Sequence, residues 1–320
     1  MISNTRQKFL IIGGGGFLGY SLYQRLRKNY QPAVFVSSSF QWSNLGKIDD
    51  VEHISFVIAN SKDIDMYKDF ISDVSHVIYM AGGTNIAYSQ LHSISDIENH
   101  NSAILPLLTS LDPSKKLIYI SSGGAVYGET SDFIDGCTET STLNPKSIYG
   151  LRNKVMENLV SSYCKYASIS YAILRLSNPF GISQTFTKRK GLIMTAILNA
   201  LQNKPLLLRD NGQQFRDFIP VDLFVDYLLA IAADLGNKSS FPALFNVGLG
   251  KSYSTLAIAE MINELLGGQL NIQIKEECLP YEVKHSSLDC SLISNMYPAI
   301  EKKPLDQYLY SLVRLIQENS

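Results

Sequence analysis

The sequence predicts an α/β protein, a doubly wound parallel sheet followed by a smaller, mixed α/β domain at the C-terminal end. Three observations predict it. Up to Leu176, short apolar runs alternate with amphipathic helical segments, a pattern that means a parallel sheet covered by helices on both faces. Four consecutive glycines close the first apolar run and open the first helical segment, the place where such sheets receive a ligand. After Asn178-Pro179 the alternation loosens into helices separated by short strands.

In chain order, residues 8–12 read as a buried strand and 17–29 as a helix. Residues 33–36 form the second strand and 53–58 the third, followed by a helix through Ile71. The fourth strand is 76–81. A helix over 97–111 leads to the fifth strand, 116–121, and a long helix over 149–166 leads to the sixth, 170–176. Right-handed crossovers between these strands give a Rossmann-type fold. Beyond it, helices are predicted near 192–202, 222–235 and 255–266, a small strand at 271–274, and a closing helix from Leu305. The expected division is a dinucleotide-binding domain over 1–176 and a mainly substrate-binding domain over 177–320, with a segment near 213–248 returning to the first.

Bulk composition narrows the function. The chain has 320 residues, 45% hydrophobic and 18% charged, with a formal net charge of −1. That is a globular composition without the electrostatic footprint of a nucleic-acid or membrane-surface protein. Lys188-Arg189-Lys190 is short enough to be a solvated loop or an anion contact. Cys137, Cys164, Cys278 and Cys290 are scattered, and the five histidines show no ligand spacing, so neither a metal site nor a disulfide framework is expected. A reduced, cytoplasmic protein fits best. The apolar run Phe9–Ile12 is too short for a signal peptide, and no stretch is long enough to span a bilayer.

Gly13, Gly16 and Gly19 form a GxxGxxG pattern at the first strand–helix junction. Glycine there permits a tight turn, close approach of a pyrophosphate, and close packing of helix on strand. The N–H groups of Phe17 and Leu18 then face the phosphates from a helix N-terminus. This arrangement calls for NAD or NADP. A carboxylate at the end of the second strand would select NAD through the ribose hydroxyls; Ser37-Ser38-Ser39 stands there instead. No repulsion of a 2′-phosphate remains, but no neighbouring arginine clamps one, so the choice stays open.

Further segments follow in a fixed order: Ala81-Gly82-Gly83; Asn99-His100-Asn101; Ser121-Ser122-Gly123-Gly124-Ala125-Val126-Tyr127-Gly128; Tyr149-Gly150; Arg175 to Gly181; Gly212; Arg216-Asp217-Phe218-Ile219-Pro220-Val221; and Phe245-Asn246-Val247-Gly248. In this order and spacing the chain resembles the extended short-chain dehydrogenase/reductases, most of all the UDP-glucose 4-epimerase-like branch of the NAD-dependent epimerase/dehydratase family. The resemblance implies cofactor contacts at Ala81, Gly82 and Asn99, a nucleotide-sugar substrate, and Tyr149 as the base that takes a sugar hydroxyl proton. It also implies a sugar-nucleotide contact at Asn178, a diphosphate contact at Arg216, and a homodimer formed through two helices, one of them carrying the tyrosine. A phenol titrates near pH 10, so action near neutrality needs about 4 kcal/mol of preferential phenolate stabilisation. The family supplies it with a lysine four residues after the tyrosine and with the cofactor's positive ring.

Two departures stand out. The residue four after Tyr149 is Asn153, with Lys154 next to it. Glu157 keeps the family's register, so the lysine has been replaced rather than displaced. Helical geometry turns Lys154 about 140° from Tyr149, against about 40° for Asn153. The usual catalytic serine or threonine falls on Gly123, which leaves Ser122 as the nearest hydroxyl for the sugar oxygen. The family arginine ahead of a later Asp-Val pair is also missing, since that stretch reads Leu279-Pro280-Tyr281-Glu282-Val283. Two readings accommodate the departures: an active enzyme in which Asn153 orders a water or the ribose, or a weak paralogue that still binds cofactor.

Dehydratases and decarboxylases of the family place carboxylates where this chain has Gly124 and Ala125, which transfer no protons. The expectation is therefore a C4 epimerase working by transient hydride transfer to bound NAD(P). An NADPH-dependent 4-keto-sugar reductase is the alternative.

Overall fold

A computed structural model of the protein describes residues 9–27, 33–36, 56–58, 71–72, 74–82, 86–133, 135–186, 191–238 and 240–318. Ser37, Gly83, Lys188-Arg189-Lys190 and most of the expected helix before Ile71 lie outside the described residues.

The strands β1 (Phe9–Ile12), β2 (Ala33–Val36), β3 (Phe56–Ile58), β4 (His76–Tyr79), β5 (Lys116–Ser122) and β6 (Ser170–Leu176) join a later strand, Leu244–Val247, in one seven-stranded sheet. Its order is Leu244–Val247, β6, β5, β4, β1, β2, β3. β1 pairs in parallel with both β2 and β4, so that Ile12 lies between Phe35 and Tyr79. The chain runs outward from β1 on one side through β2 and β3, then restarts on the other side at β4. Sheets of this order receive ligands where the direction reverses, outside the carboxyl ends of the strands.

β1 and β4 are buried along their whole length, as strands covered on both faces must be. Leu10, Val77 and Tyr119 pack with Ile104 and Leu108 of the helix Ser93–Ser110, and with Met156, Val160 and Cys164 of the helix Ile148–Tyr166. The last three sit four residues apart and therefore share a helix face. Each large apolar side chain buried in this way contributes about 1.5–3 kcal/mol.

The chain forms two compact units. The first comprises 1–121, 152–174 and 228–244; the second comprises 122–151, 175–227 and 245–320. This division is interleaved, where sequence patterning placed the main boundary at 176. Sequence patterning marks where elements start and stop, but not which core each side chain enters. Of the expected return near 213–248, only 228–244 belongs to the first unit.

The second unit holds a four-stranded sheet in which Phe215–Pro220 pairs with Ser252–Ser254, His285–Ser286 and Asn178–Phe180. Leu206–Leu208 pairs in parallel with Ile272–Ile274. Ile193 and Ile197, Ile258 and Ile262, and Leu309 and Val313 supply its core from three helices, Leu192–Leu201, Thr255–Leu265 and Leu305–Glu318.

Candidate active site

In the first unit β1 runs directly into Gly13, and the ten-residue helix Phe17–Leu26 starts from Gly16. The spaced glycines answer three different demands. Gly13 has φ +89°, and a Cβ there would lie 2.8 Å from the Ala81 amide nitrogen. A Cβ on Gly19 would lie 2.5 Å from Gly13 O and from Gly14 Cα, so the helix sits on the loop more closely than any side chain permits. Among the described residues beyond its own chain neighbours and helix, a Cβ on Gly16 would meet only Gly13 O, at a tight 3.3 Å. Packing asks less of Gly16 than of Gly13 or Gly19; its bareness opens the helix N-terminus. That terminus has no side-chain cap and no acidic residue in its first turn. The N–H groups of Phe17 and Leu18 precede the helix's donor from Tyr20 to Gly16 O, 2.8 Å. Uncapped N–H groups at the positive end of a helix fit a pyrophosphate.

Ala81 and Gly82 follow β4 beside this loop. Gly82 has φ +150°, and a Cβ on it would lie 2.8 Å from His100 Nε2. Asn99, expected to contact the cofactor, is exposed on the helix Ser93–Ser110; His100 is the buried neighbour turned toward Gly82. One step along a helix is a turn of about 100°, so the two neighbours face different ways.

Behind His100 lies a buried polar cluster that the sequence motifs did not disclose. Asp96 Oδ2 accepts from Arg152 Nη1 at 2.8 Å and from Ser89 Oγ at 2.7 Å, and the Asp96 carbonyl faces His100 Nδ1 at 3.2 Å. Both members of the ion pair are 1% exposed. Burial, with Arg152 adding to it, pulls His100 down to about 4, so the ring is neutral near pH 7. The i, i+4 spacing of Asp96 and His100 was the available signal.

The helix Ile148–Tyr166 is unbroken at its start. Tyr149, Asn153 and Glu157 therefore succeed one another at four-residue spacing, and Lys154 turns away as helical geometry demands. Asn153 and Glu157 are buried. Glu157 Oε1 accepts from Ser121 Oγ at 2.5 Å, which ties the helix to the end of β5.

In the second unit Ser122 leads into a single helical turn, Gly123–Val126, without capping it through its side chain. Gly123 is buried, and a Cβ on it would lie 2.7 Å from Leu288 Cδ1 and 2.9 Å from Arg175 O. A Cβ on Gly124 would meet Asn178 Nδ2 and Ser286 Oγ at an ordinary 3.7 Å. Asn178 Nδ2 donates to Asp217 O at 2.9 Å. Arg216 Nη1 donates to Phe215 O at 2.7 Å and Lys284 O at 3.1 Å. Asn178 and Arg216 both line a cavity of about 620 Å³, which Arg209, Gln214 and Glu282 line as well. The structure thus brings together the two expected substrate contacts and adds residues that the motifs had not marked.

Several motif residues turn out to be scaffold. Arg175 Nη1 donates to Tyr127 OH at 2.8 Å, Tyr127 OH to Asn246 Oδ1 at 2.7 Å, and Asn246 Nδ2 to Cys137 O at 2.8 Å. Burial pushes Tyr127 up to about 12, so its hydroxyl stays a donor. Asp217 accepts from the Leu249 and Gly250 amides at 3.0 and 2.9 Å, and burial raises it to about 7. Among the described residues no group of three or more His, Cys, Asp or Glu could hold a metal ion, and no helix is long and apolar enough to cross a membrane.

Residues 9–248 match the model of the NAD dependent epimerase/dehydratase family. The chain belongs to that family. As a member it is an NAD-dependent enzyme of the extended short-chain dehydrogenase/reductase type. A putative UDP-glucose 4-epimerase of Methanocaldococcus jannaschii is 30% identical over 262 residues, 81% of this chain and 82% of that one. UDP-glucuronic acid decarboxylase 1 of Danio rerio is 22% identical over 275 residues, 85% of this chain and 64% of that one. Among solved structures, the UDP-glucuronic acid 4-epimerase of Bacillus cereus, in complex with UDP-glucuronic acid and NAD, superposes with a TM-score of 0.86 at 23% identity, covering 98% of this chain and 100% of that one. The chain is thus similar to epimerases and to a decarboxylase, and its chemistry must be argued from its own residues.

Proposed function

We propose that this protein is a nucleotide-sugar epimerase acting at C4, with Tyr149 as the base. The observation that carries the reading is the turn Gly123–Val126. Elimination of water requires an acid and a base beyond the tyrosine, and Gly123, Gly124 and Ala125 offer no titratable group. What remains is chemistry that needs one proton acceptor and one hydride acceptor.

Bound NAD(P) supplies the hydride acceptor. Gly13, Gly16, Phe17, Leu18 and Gly19 hold its pyrophosphate, with Ala81 and Gly82 beside them. Tyr149 removes the proton from the 4-hydroxyl and returns it after the 4-keto sugar has turned over. Ser122 hydrogen-bonds the sugar oxygen, and Asn153 orders a water or the ribose in place of the absent lysine. Asn178 and Arg216 hold the nucleotide-sugar, with the Arg216 guanidinium at the diphosphate.

Four unbridged cysteines support a reducing, cytoplasmic setting. Exposed Leu91, Ile94 and Leu105, and exposed Leu151 and Val155 four apart on the tyrosine helix, support a homodimer.

The second reading is an NADPH-dependent 4-keto-sugar reductase, favoured by Ser37-Ser38-Ser39 where a carboxylate would repel a 2′-phosphate. Incubation of the full chain with UDP-glucose and NAD, followed by chromatography, tests both. Appearance of UDP-galactose without net change in nicotinamide absorbance supports the epimerase. Consumption of NADPH with a nucleotide 4-keto sugar, and no epimer, replaces it with the reductase.

A further inference from the structure

The cavity in the second unit contains two arginines where the family resemblance marks one. Arg216 comes from the strand Phe215–Pro220, and Arg209 follows the strand Leu206–Leu208. The two are engaged differently. Arg216 Nη1 is committed to two backbone carbonyls, and its Nη2 meets Gln214 Oε1 at 3.4 Å. Arg209 meets Glu282 at 3.6 Å, Nη1 to Oε1, with 41% of its side chain exposed. That separation is too long for a good hydrogen bond, so the planar fork of donors is largely unspent. Glu282 does not depend on Arg209 for its place, because its Oε2 accepts from Gln214 Nε2 at 2.9 Å.

The backbone after Arg209 supplies a second observation. Asp210, Asn211 and Gly212 have φ +50°, +52° and +71°, three successive left-handed residues of which two are not glycine. Asp and Asn enter this region more readily than other side chains do, and their surroundings hold the turn in place. Here the Asp210 amide donates to Glu277 O and the Asn211 amide to Lys275 O, each at 3.0 Å. These two bonds fix the backbone immediately after Arg209 and so fix where its side chain starts.

Resting on the nucleotide-sugar reading above, we infer that Arg209 is a second diphosphate-binding guanidinium. Glu282 is the partner it exchanges for phosphate. A diphosphate carries more charge than Arg216 alone neutralises, and Arg216 has already given one nitrogen to the backbone. Arg209 reaches the same cavity with its fork free to engage two phosphate oxygens.

Calorimetry on the full chain tests this with UDP, dTDP, GDP and CDP, and with the monophosphate of whichever binds. Arg209→Ala weakens the diphosphate by about tenfold or more and the monophosphate far less; Arg209→Lys restores part of the loss. Glu282→Gln removes the competing carboxylate and tightens the diphosphate. Equal loss for diphosphate and monophosphate, no loss at all, or looser binding in Glu282→Gln overturns the inference. If Arg209→Ala fails to fold, Arg209→Lys and Glu282→Gln carry the same comparison. A wild-type chain that binds none of the four diphosphates removes the nucleotide-sugar reading and Arg209's role together. Binding by wild type and Arg209→Ala alike removes only Arg209's role.

Discussion

On the function proposed above, the protein has a dinucleotide end and a nucleotide-sugar end, and the two are built from different material. At the first, the backbone is what a ligand would meet: Gly13 turns, Gly19 lets the helix lie close, and Gly16 bares the N–H groups behind it. At the second, side chains are what it would meet, and Asn178, Arg209, Arg216 and Glu282 line one cavity from separate stretches of chain. A backbone site is damaged by adding atoms, and a side-chain site by removing them. Each end can be tested by the change to which the other should be indifferent.

The largest effect is expected where neither end is touched. Tyr149→Phe lowers kcat by about 10³-fold, while titrations with NAD and with nucleoside diphosphate stay within a few-fold of wild type. Retained turnover removes Tyr149 from its role. Gly16→Val crowds the helix N-terminus and costs about 100-fold or more in NAD affinity. The thermal midpoint should fall less than in a Gly19 variant, because among the described residues only Gly13 O, at 3.3 Å, crowds a Cβ there. If the fold is lost along with the cofactor, Gly16 is a packing glycine like Gly19 and the comparison blurs. Arg216→Ala is the converse: diphosphate affinity falls about 10- to 100-fold and NAD affinity holds. A fall in both would mean that the ends are not separately built.

Asn153→Lys restores the family's cation on the tyrosine's helix face and raises kcat a few-fold near pH 7, with the rising limb of the pH–rate profile moved down. An unmoved profile would show that the phenol is activated without residue 153.

The smallest effect concerns stability. His100 is held near 4, below its unfolded value of 6.5, as is His76. The stability from keeping each ring neutral is complete above pH 6.5 and is lost as pH falls toward 4. The wild type should therefore lose about 1.4 kcal/mol per pH unit for each ring across that window. His100→Asn makes the slope shallower by one such share. Urea unfolding at pH 7 and pH 5 reads the difference, and a pH-independent gap between wild type and variant would mean that the ring is not kept neutral.

The same contrast in material decides what could be read from the sequence. Gly13, Gly16 and Gly19 were legible because the absences that make the site are neighbours in the chain. The order of the strands was legible because buried parallel strands are continuous apolar runs. Asn178 and Arg216 were found through the family resemblance. Arg209, Gln214 and Glu282 were not found, since nothing in the local pattern says that the strand Leu206–Leu208 ends beside Phe215–Pro220 in one cavity. The motif pointed to Asn99, and that its neighbour His100 is the one buried beside Gly82 was not legible. Arg152 was missed because a buried arginine looks, in a sequence, like an exposed one; only its partner Asp96, far away in the chain, makes burial tolerable.

The packing around Gly123 constrains how this chain can change. A hydroxyl-bearing side chain at that position would run into the Leu288 methyl at 2.7 Å and the Arg175 carbonyl at 2.9 Å. Trimming Leu288 clears only the first obstacle, because the second is main chain and stays whatever residue occupies 175. A serine at position 123 thus requires a backbone rearrangement that no single substitution supplies. A hydroxyl is placed beside this turn more cheaply at residue 122, where the chain already carries one.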